Sequence, residues 1–363
     1  HMLFSDGVGY SALFATHPPL AARILRLDPS FRAEQLQAIA AAWSQPLAVG
    51  ADASERADLS IAGFAPAVAQ TAARPARANG LPAADARLQL SPKAVVRQVG
   101  NPGNDDRAAA RNIHGAIPQR LREAAWQPEQ AVPLVYALLL NDEAGVRARQ
   151  LDLIGAQHDG PTRDAAATLA AALAGLHPMQ RLPLAALAFP ALRRRPRPQL
   201  TTFMRVMRAL IDADQRVTLD EYCLATLIRL QVADALAPAA SQVIGRTRLP
   251  ELGAELKDLL AIVARHGHDD EAGARRAYAL GLHEVLPDAA IAYAPPGDWT
   301  GALDRALPRL DLLAPAGKEL VVRALTRTSV SHGQVSVAEA ELLRTVCAGL
   351  HCPLPPLLQD APD

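Results

Sequence analysis

Apolar positions recur with helical spacing through most of the chain. In "TTFMRVMRALIDAD" Phe203, Val206, Met207, Leu210 and Ile211 fall at i, i+3, i+4, i+7 and i+8, a single core-facing stripe. Leu20, Ile24 and Leu27 make a shorter stripe, and Leu36, Ile39 and Trp43 another. Pro118, Pro128, Pro161, Pro178 and Pro198 each stand near the start of such a segment. Proline is tolerated there because the first helical N–H groups have no intrahelical partner. Period-two alternation is nowhere sustained. The pattern predicts an all-α fold, a multi-helix array or bundle of roughly a dozen helices.

Between Gln45 and Asp106 the period dissolves into Pro, Gly, Asn and Ala. The chain therefore divides on its pattern into residues 1–44 with two helices, a Pro/Ala-rich linker or arm over 45–112, and an all-α domain over 113–363. A further boundary within that domain is expected between 113–197 and 198–363.

An internal repeat lies inside the helical domain. "QRVTLDEYCLATLI" (215–228) resembles "GQVSVAEAELLRTV" (333–346). At one constant offset Val217 matches Val335, Thr218 matches Ser336 and Glu221 matches Glu339. Each copy reads as helix–turn–helix. Thr218-x-x-Glu221 and Ser336-x-x-Glu339 are capping boxes, in which hydroxyl and carboxylate satisfy the free N–H groups of a helix start.

Composition supports this pattern. Of the 363 residues 50% are hydrophobic but only 4% aromatic, so the apolar content is mainly Ala, Leu and Val, of which Ala and Leu are the strongest apolar helix formers. Lys+Arg and Asp+Glu both number 37, which leaves no net field for a polyanion and argues against a nucleic-acid partner. Cys223, Cys347 and Cys352 form no C-x-x-C motif, and an odd count is no disulfide framework. The most apolar run, "AVPLVYALLL" (131–140), falls short of the ~20 residues of a membrane span. No signal peptide is recognisable.

Candidate chemistry is thin. "DADQRVTLDEYC" opens like a calcium loop, but Arg216, Val217 and Cys223 occupy places that require oxygen ligands or glycine. His283-Glu284 fails as a zinc-protease helix because position 287 is proline. His266, His268, Asp269 and Asp270 form a short tract better read as a helix end at Gly267 and an Asp cap. Arg193, Arg194, Arg195 and Arg197 form a basic loop without the aromatic residues that stack bases. Gly100-x-x-Gly103 lacks the residues of a phosphate loop, and no G-x-S-x-G elbow occurs. No catalytic set and no metal or cofactor site is expected within this chain.

One stretch carries a family resemblance. "MLFSDGVGYSALFATHPPLAARILRLDPSF" contains Phe14, Thr16, His17, Pro18, Pro19, Arg23, Ile24 and Leu27 in the pattern F-x-T-H-P-P-x-x-x-R-I-x-x-L. It resembles the segment that closes the catalytic domain of bacterial HtpX-like and CAAX-prenyl-protease-type membrane zinc metallopeptidases. "TLDEYCLATL" and "SVAEAELLRTVCAGLHCPLPPLL" also resemble TerB-like helical modules. The resemblance implies a parent protein with membrane spans and a zinc-binding H-E-x-x-H helix, neither of which is in this chain. By resemblance His17 lies near the parent active site, without ligating zinc. The function it implies is a C-terminal extension on the cytoplasmic side of the inner membrane. That extension would regulate the protease or recruit protein or peptide substrates, and would not be catalytic by itself. Its partners would be the peptidase and membrane domain, those substrates, and a second copy through residues 3–44. The alternative is a freestanding helical adaptor unrelated to proteolysis.

Overall fold

The computed structural model describes residues 81–357, apart from 92–94, 96–97, 100–103, 237–244, 290 and 332. The readings placed on the first 80 residues, His17 and the two expected helices among them, lie outside the described residues. Within the described residues the chain is all-α, with thirteen α-helices and two two-residue strands.

The first seven helices are α1 (Asn104–Gly115), α2 (Gln119–Trp126), α3 (Pro128–Leu138), α4 (Ala144–Gln157), α5 (Gly160–Ala172), α6 (Pro178–Leu192) and α7 (Arg197–Ile211). The α3 and α6 helices are apolar on every side, and such helices must be buried. Residues Ala131 to Leu138 of α3 are all buried, as are most side chains of α6. These two helices pack on each other; α2 lies against both, α5 against α3, and α1 against α6. The α7 helix has the opposite character. Its single stripe, Phe203, Val206, Met207, Leu210 and Ile211, is buried while its arginines face water.

The remaining helices are α8 (Leu219–Leu236), α9 (Gly253–His266), α10 (Glu271–Val285), α11 (Trp299–Leu310), α12 (Pro315–Ser329) and α13 (Val337–Gly349). The α9 helix is the hub of this half and touches α10, α11 and α12. The α10 and α12 helices approach closely because residue 281 is glycine: a Cβ there would lie 2.0 Å from Thr328 Oγ1. The α8 and α13 helices pack on each other, and both reach α6, so one hydrophobic core runs from Leu88 to Leu357.

Helix starts follow local chemistry. Asp159 accepts from Thr162 N–H (2.7 Å), Asp270 from Gly273 N–H (2.6 Å) and Asp298 from Gly301 N–H (2.9 Å), capping α5, α10 and α11. The segment expected to be an irregular arm contributes two ordered pieces. Strand β1 (Arg87–Leu88) pairs antiparallel with β2 (Val335–Ser336), Leu88 opposite Val335, and both of these residues are fully buried. The α1 helix opens at Asn104, ahead of the expected boundary at 113. Both were hidden in the sequence because β1 is too short for any period and α1 is too polar for a stripe.

Candidate functional site

The repeat organises the centre of the molecule. In the first copy α7 runs into a 3-10 turn (Asp212–Asp214), and Gln215 takes φ 60° before α8. In the second copy α12 ends at Ser329, and Gly333 takes φ 82° before α13. Gln215 and Gly333 are matching positions, and so are the first helical residues Leu219 and Val337. Both capping boxes are formed. Thr218 N–H donates to Glu221 Oε2 (2.8 Å), and Glu221 N–H donates to Thr218 Oγ1 (3.3 Å). Ser336 N–H donates to Glu339 Oε2 (3.3 Å), and Glu339 N–H donates to Ser336 Oγ (3.3 Å). The four capping residues serve two separate helix starts and are not brought together into one site.

The helices that the boxes launch, α8 and α13, pack on each other. Glu341 and Arg344 lie in α13 as an ion pair at 2.6 Å, each side chain only 4% exposed. Burial pushes the Glu341 carboxyl up, and Arg344 offsets this only in part. The matching positions on α8 are Cys223 and Thr226. Burial raises the Cys223 thiol, and the Glu341 carboxylate acts in the same direction. Cys223 thus faces its matching residue Glu341 across the packed α8 and α13 helices.

On its other flank the first copy opens a cleft between α7, α8 and α11, with a cavity of 210 Å³. Met204, Met207, Ile211, Val217 and Ala225 form apolar walls. The floor is polar. Asp304 Oδ1 accepts from Arg229 Nη2 at 2.6 Å and from the Tyr222 hydroxyl at 3.1 Å. Burial, reinforced by Asp304, pushes the Tyr222 hydroxyl well above the usual phenol range, so it stays a donor. The Tyr222 ring packs tilted on Trp299 at 5.0 Å, and His266 meets the same indole edge-on at 4.7 Å. Burial and then Arg265 lower the His266 imidazole, which is therefore neutral near pH 7. Arg229, Asp304 and Tyr222 hold one another on this floor. The cleft sets apolar walls beside a fixed ion pair, and among its lining residues no nucleophile stands beside a base.

The other sequence candidates are dispersed. Asp212 pairs with Arg208 (2.8 Å), while Asp214 accepts from Asn141 Nδ2 (3.0 Å) and Arg216 N–H (3.0 Å), so the two acids of the calcium-like loop face different partners. His268 is bonded to Ala264 O (3.0 Å) and Ser331 Oγ (2.6 Å), Asp270 caps α10, and Asp269 faces Arg87 at the surface. His283 is exposed, and Glu284 pairs with Arg327 (2.8 Å). Arg193, Arg194 and Arg197 are exposed between α6 and α7, and Arg195 donates to Pro128 O (2.6 Å). Among the described residues no three His, Cys, Asp or Glu side chains converge for a metal ion, and no helix is long and apolar enough to cross a membrane.

Sequence reasoning missed the floor of the cleft. Tyr222 and Arg229 stand at i, i+7 on α8, but Trp299 and Asp304 belong to the distant α11, and no spacing rule links the two helices. The one available signal was the pair Met204 and Met207 beside the repeat, since adaptable thioethers are favoured at binding surfaces. A comparison with family models, curated proteins and solved structures returned no match to this chain.

Proposed function

We propose that this chain is a protein-binding helical extension of a membrane-bound zinc metallopeptidase, placed on the cytoplasmic side and serving to recruit or present protein substrates. The T-H-P-P-x-x-x-R-I resemblance supports the peptidase half of this reading. The binding half rests on one observation, the methionine-walled cleft of the first repeat with its internally satisfied Arg229–Asp304–Tyr222 floor. Flexible Met-lined surfaces repack around varied apolar side chains, and nothing in the cleft is arranged for bond cleavage. Zinc chemistry belongs to the parent domain.

The test is made in the intact peptidase. Ala225→Trp fills the cleft from its wall. It should lower turnover of an unfolded protein substrate about tenfold, equivalent to about 1.4 kcal/mol of lost binding, and leave turnover of a short fluorogenic peptide unchanged. Equal loss on both substrates, or no loss on either, overturns substrate recruitment. The reading frame upstream of Leu3 checks the peptidase half independently: it should encode an H-E-x-x-H helix and apolar spans, and a frame with neither removes that assignment.

A further inference from the structure

The end of α13 places two thiols at the closing positions of a helix cap. His351 takes φ 51°, the left-handed conformation. Its N–H donates to Ala348 O (3.0 Å), and the N–H of Cys352 donates to Cys347 O (2.9 Å). These two bonds, with a left-handed residue between helix and tail, are a Schellman motif, in which the side chains at the ends of the outer bond characteristically touch. Here those ends are Cys347 and Cys352. With standard peptide dimensions, the 2.9 Å bond keeps their α-carbons within about 6.8 Å, inside the range a disulfide bridges. Cys347 is buried, Cys352 half-buried, and both are free thiols.

The cap is held from three other elements. Lys318 of α12 donates to Leu350 O (2.9 Å) and to Asp311 Oδ1 (2.6 Å). His351 is bonded to Asp311 Oδ1 (3.0 Å) and faces Asp234 of α8 at 3.6 Å. This scaffold fixes a left-handed histidine where glycine is usual, and with it the close approach of the two cysteine backbones.

We propose that Cys347 and Cys352 are a thiol–disulfide exchange site, oxidised by a low-molecular-weight disulfide to an intramolecular disulfide that locks the end of α13. The Cys352 thiolate attacks one sulfur of the small disulfide and releases one small thiolate. The Cys347 thiolate then attacks the Cys352 sulfur of the mixed disulfide and releases the second. Two protein thiols lose two electrons and two protons, and the small disulfide gains both as two thiols. Cys352 is the entry point because solvent reaches it. Burial raises both thiols, but at Cys352 the neighbouring Lys318 ammonium opposes the rise.

The full chain offers a direct test. Its tryptic peptide 345–363 contains Cys347 and Cys352 and no other cysteine. After incubation of the folded chain with glutathione disulfide, that peptide should weigh two hydrogens less and carry no glutathionyl group. At equal glutathione redox ratio, the intramolecular disulfide should be favoured about tenfold or more in the folded chain over the chain in urea, since the cap prepositions the sulfurs. In Cys347→Ser the reaction should stop with one glutathionyl group on Cys352. A wild-type peptide that stays reduced, one that accumulates as the stable mixed disulfide, or a fold-independent equilibrium each overturns the proposal. The wild-type measurements stand even where the Ser variant does not fold.

Discussion

The two copies of the helix–turn–helix share their opening chemistry and differ in nearly everything beyond it. Both place a left-handed residue four positions before the helix and a capping box at its start. In the first copy Val217 is only partly buried and Thr218 is exposed. In the second Val335 is fully buried and paired with Leu88, and Ser336 is partly covered. Tyr222 and Arg229, which line the cleft, match Ala340 and Cys347, which lie in the core away from it. One local grammar thus serves two ends. The first copy leaves a face open as the cleft, and the second packs the matching positions into the core.

The largest effect should come from the pair that only the second copy carries. Arg344→Met leaves Glu341 buried without its cation and should cost about 3–5 kcal/mol of stability. The readout is the urea midpoint at unchanged slope. Glu341→Leu with Arg344→Met removes both charges and should recover wild-type stability or better, because a buried ion pair seldom outperforms apolar packing. A double variant as weak as the single one would mean that Glu341 is held by more than Arg344.

The capping boxes should separate the copies by a smaller margin. Ser336→Ala should cost about 1–2 kcal/mol and Thr218→Ala about 0.5–1 kcal/mol, the difference reflecting solvent access to the exposed helix start. Equal costs would show that burial of the second copy adds nothing to its cap. These boxes were legible in the sequence because a cap is a contact over three residues. The α7 stripe was legible for the same reason, its period being local. The strand pairing of Leu88, the Asp304 floor and the Schellman cap were not. The first two depend on partners far along the chain, and the cap, though local, uses His351 where a left-handed position ordinarily shows glycine.

The closing cap makes the second copy sensitive to pH. The carboxylates of Asp234 and Asp311 raise the His351 imidazole to about 9, against an ordinary value near 6.5. Burial would push Asp311 up, but His351 and Lys318 together hold it below the usual carboxylate range. A base raised on folding stabilises the fold fully below its unfolded value. That contribution should therefore be complete below about pH 6.5, decline above it and vanish as pH passes about 9. Unfolding free energy measured from pH 6 to pH 10 should fall in the wild type. The fall should be shallower in His351→Asn, which tolerates the left-handed turn but cannot titrate. Parallel curves would show that this histidine does not carry the pH dependence.

The smallest difference is the most local. Gln215 and Gly333 hold the same left-handed place, but only Gly333 is free of the Cβ clash that this conformation imposes. Gln215→Gly should therefore raise stability slightly, by about 0.5 kcal/mol, since relief of strain exceeds the added entropy of the unfolded chain. Gly333→Ala should do the reverse and cost about 1 kcal/mol, because no atom crowds the site and strain acts alone. The pair of thermal midpoints tests whether the two turns are equivalent. If Gln215→Gly is neutral or destabilising, the first turn draws support from its side chain that the second does without. The repeat would then have diverged in its turns as well as in its outer faces.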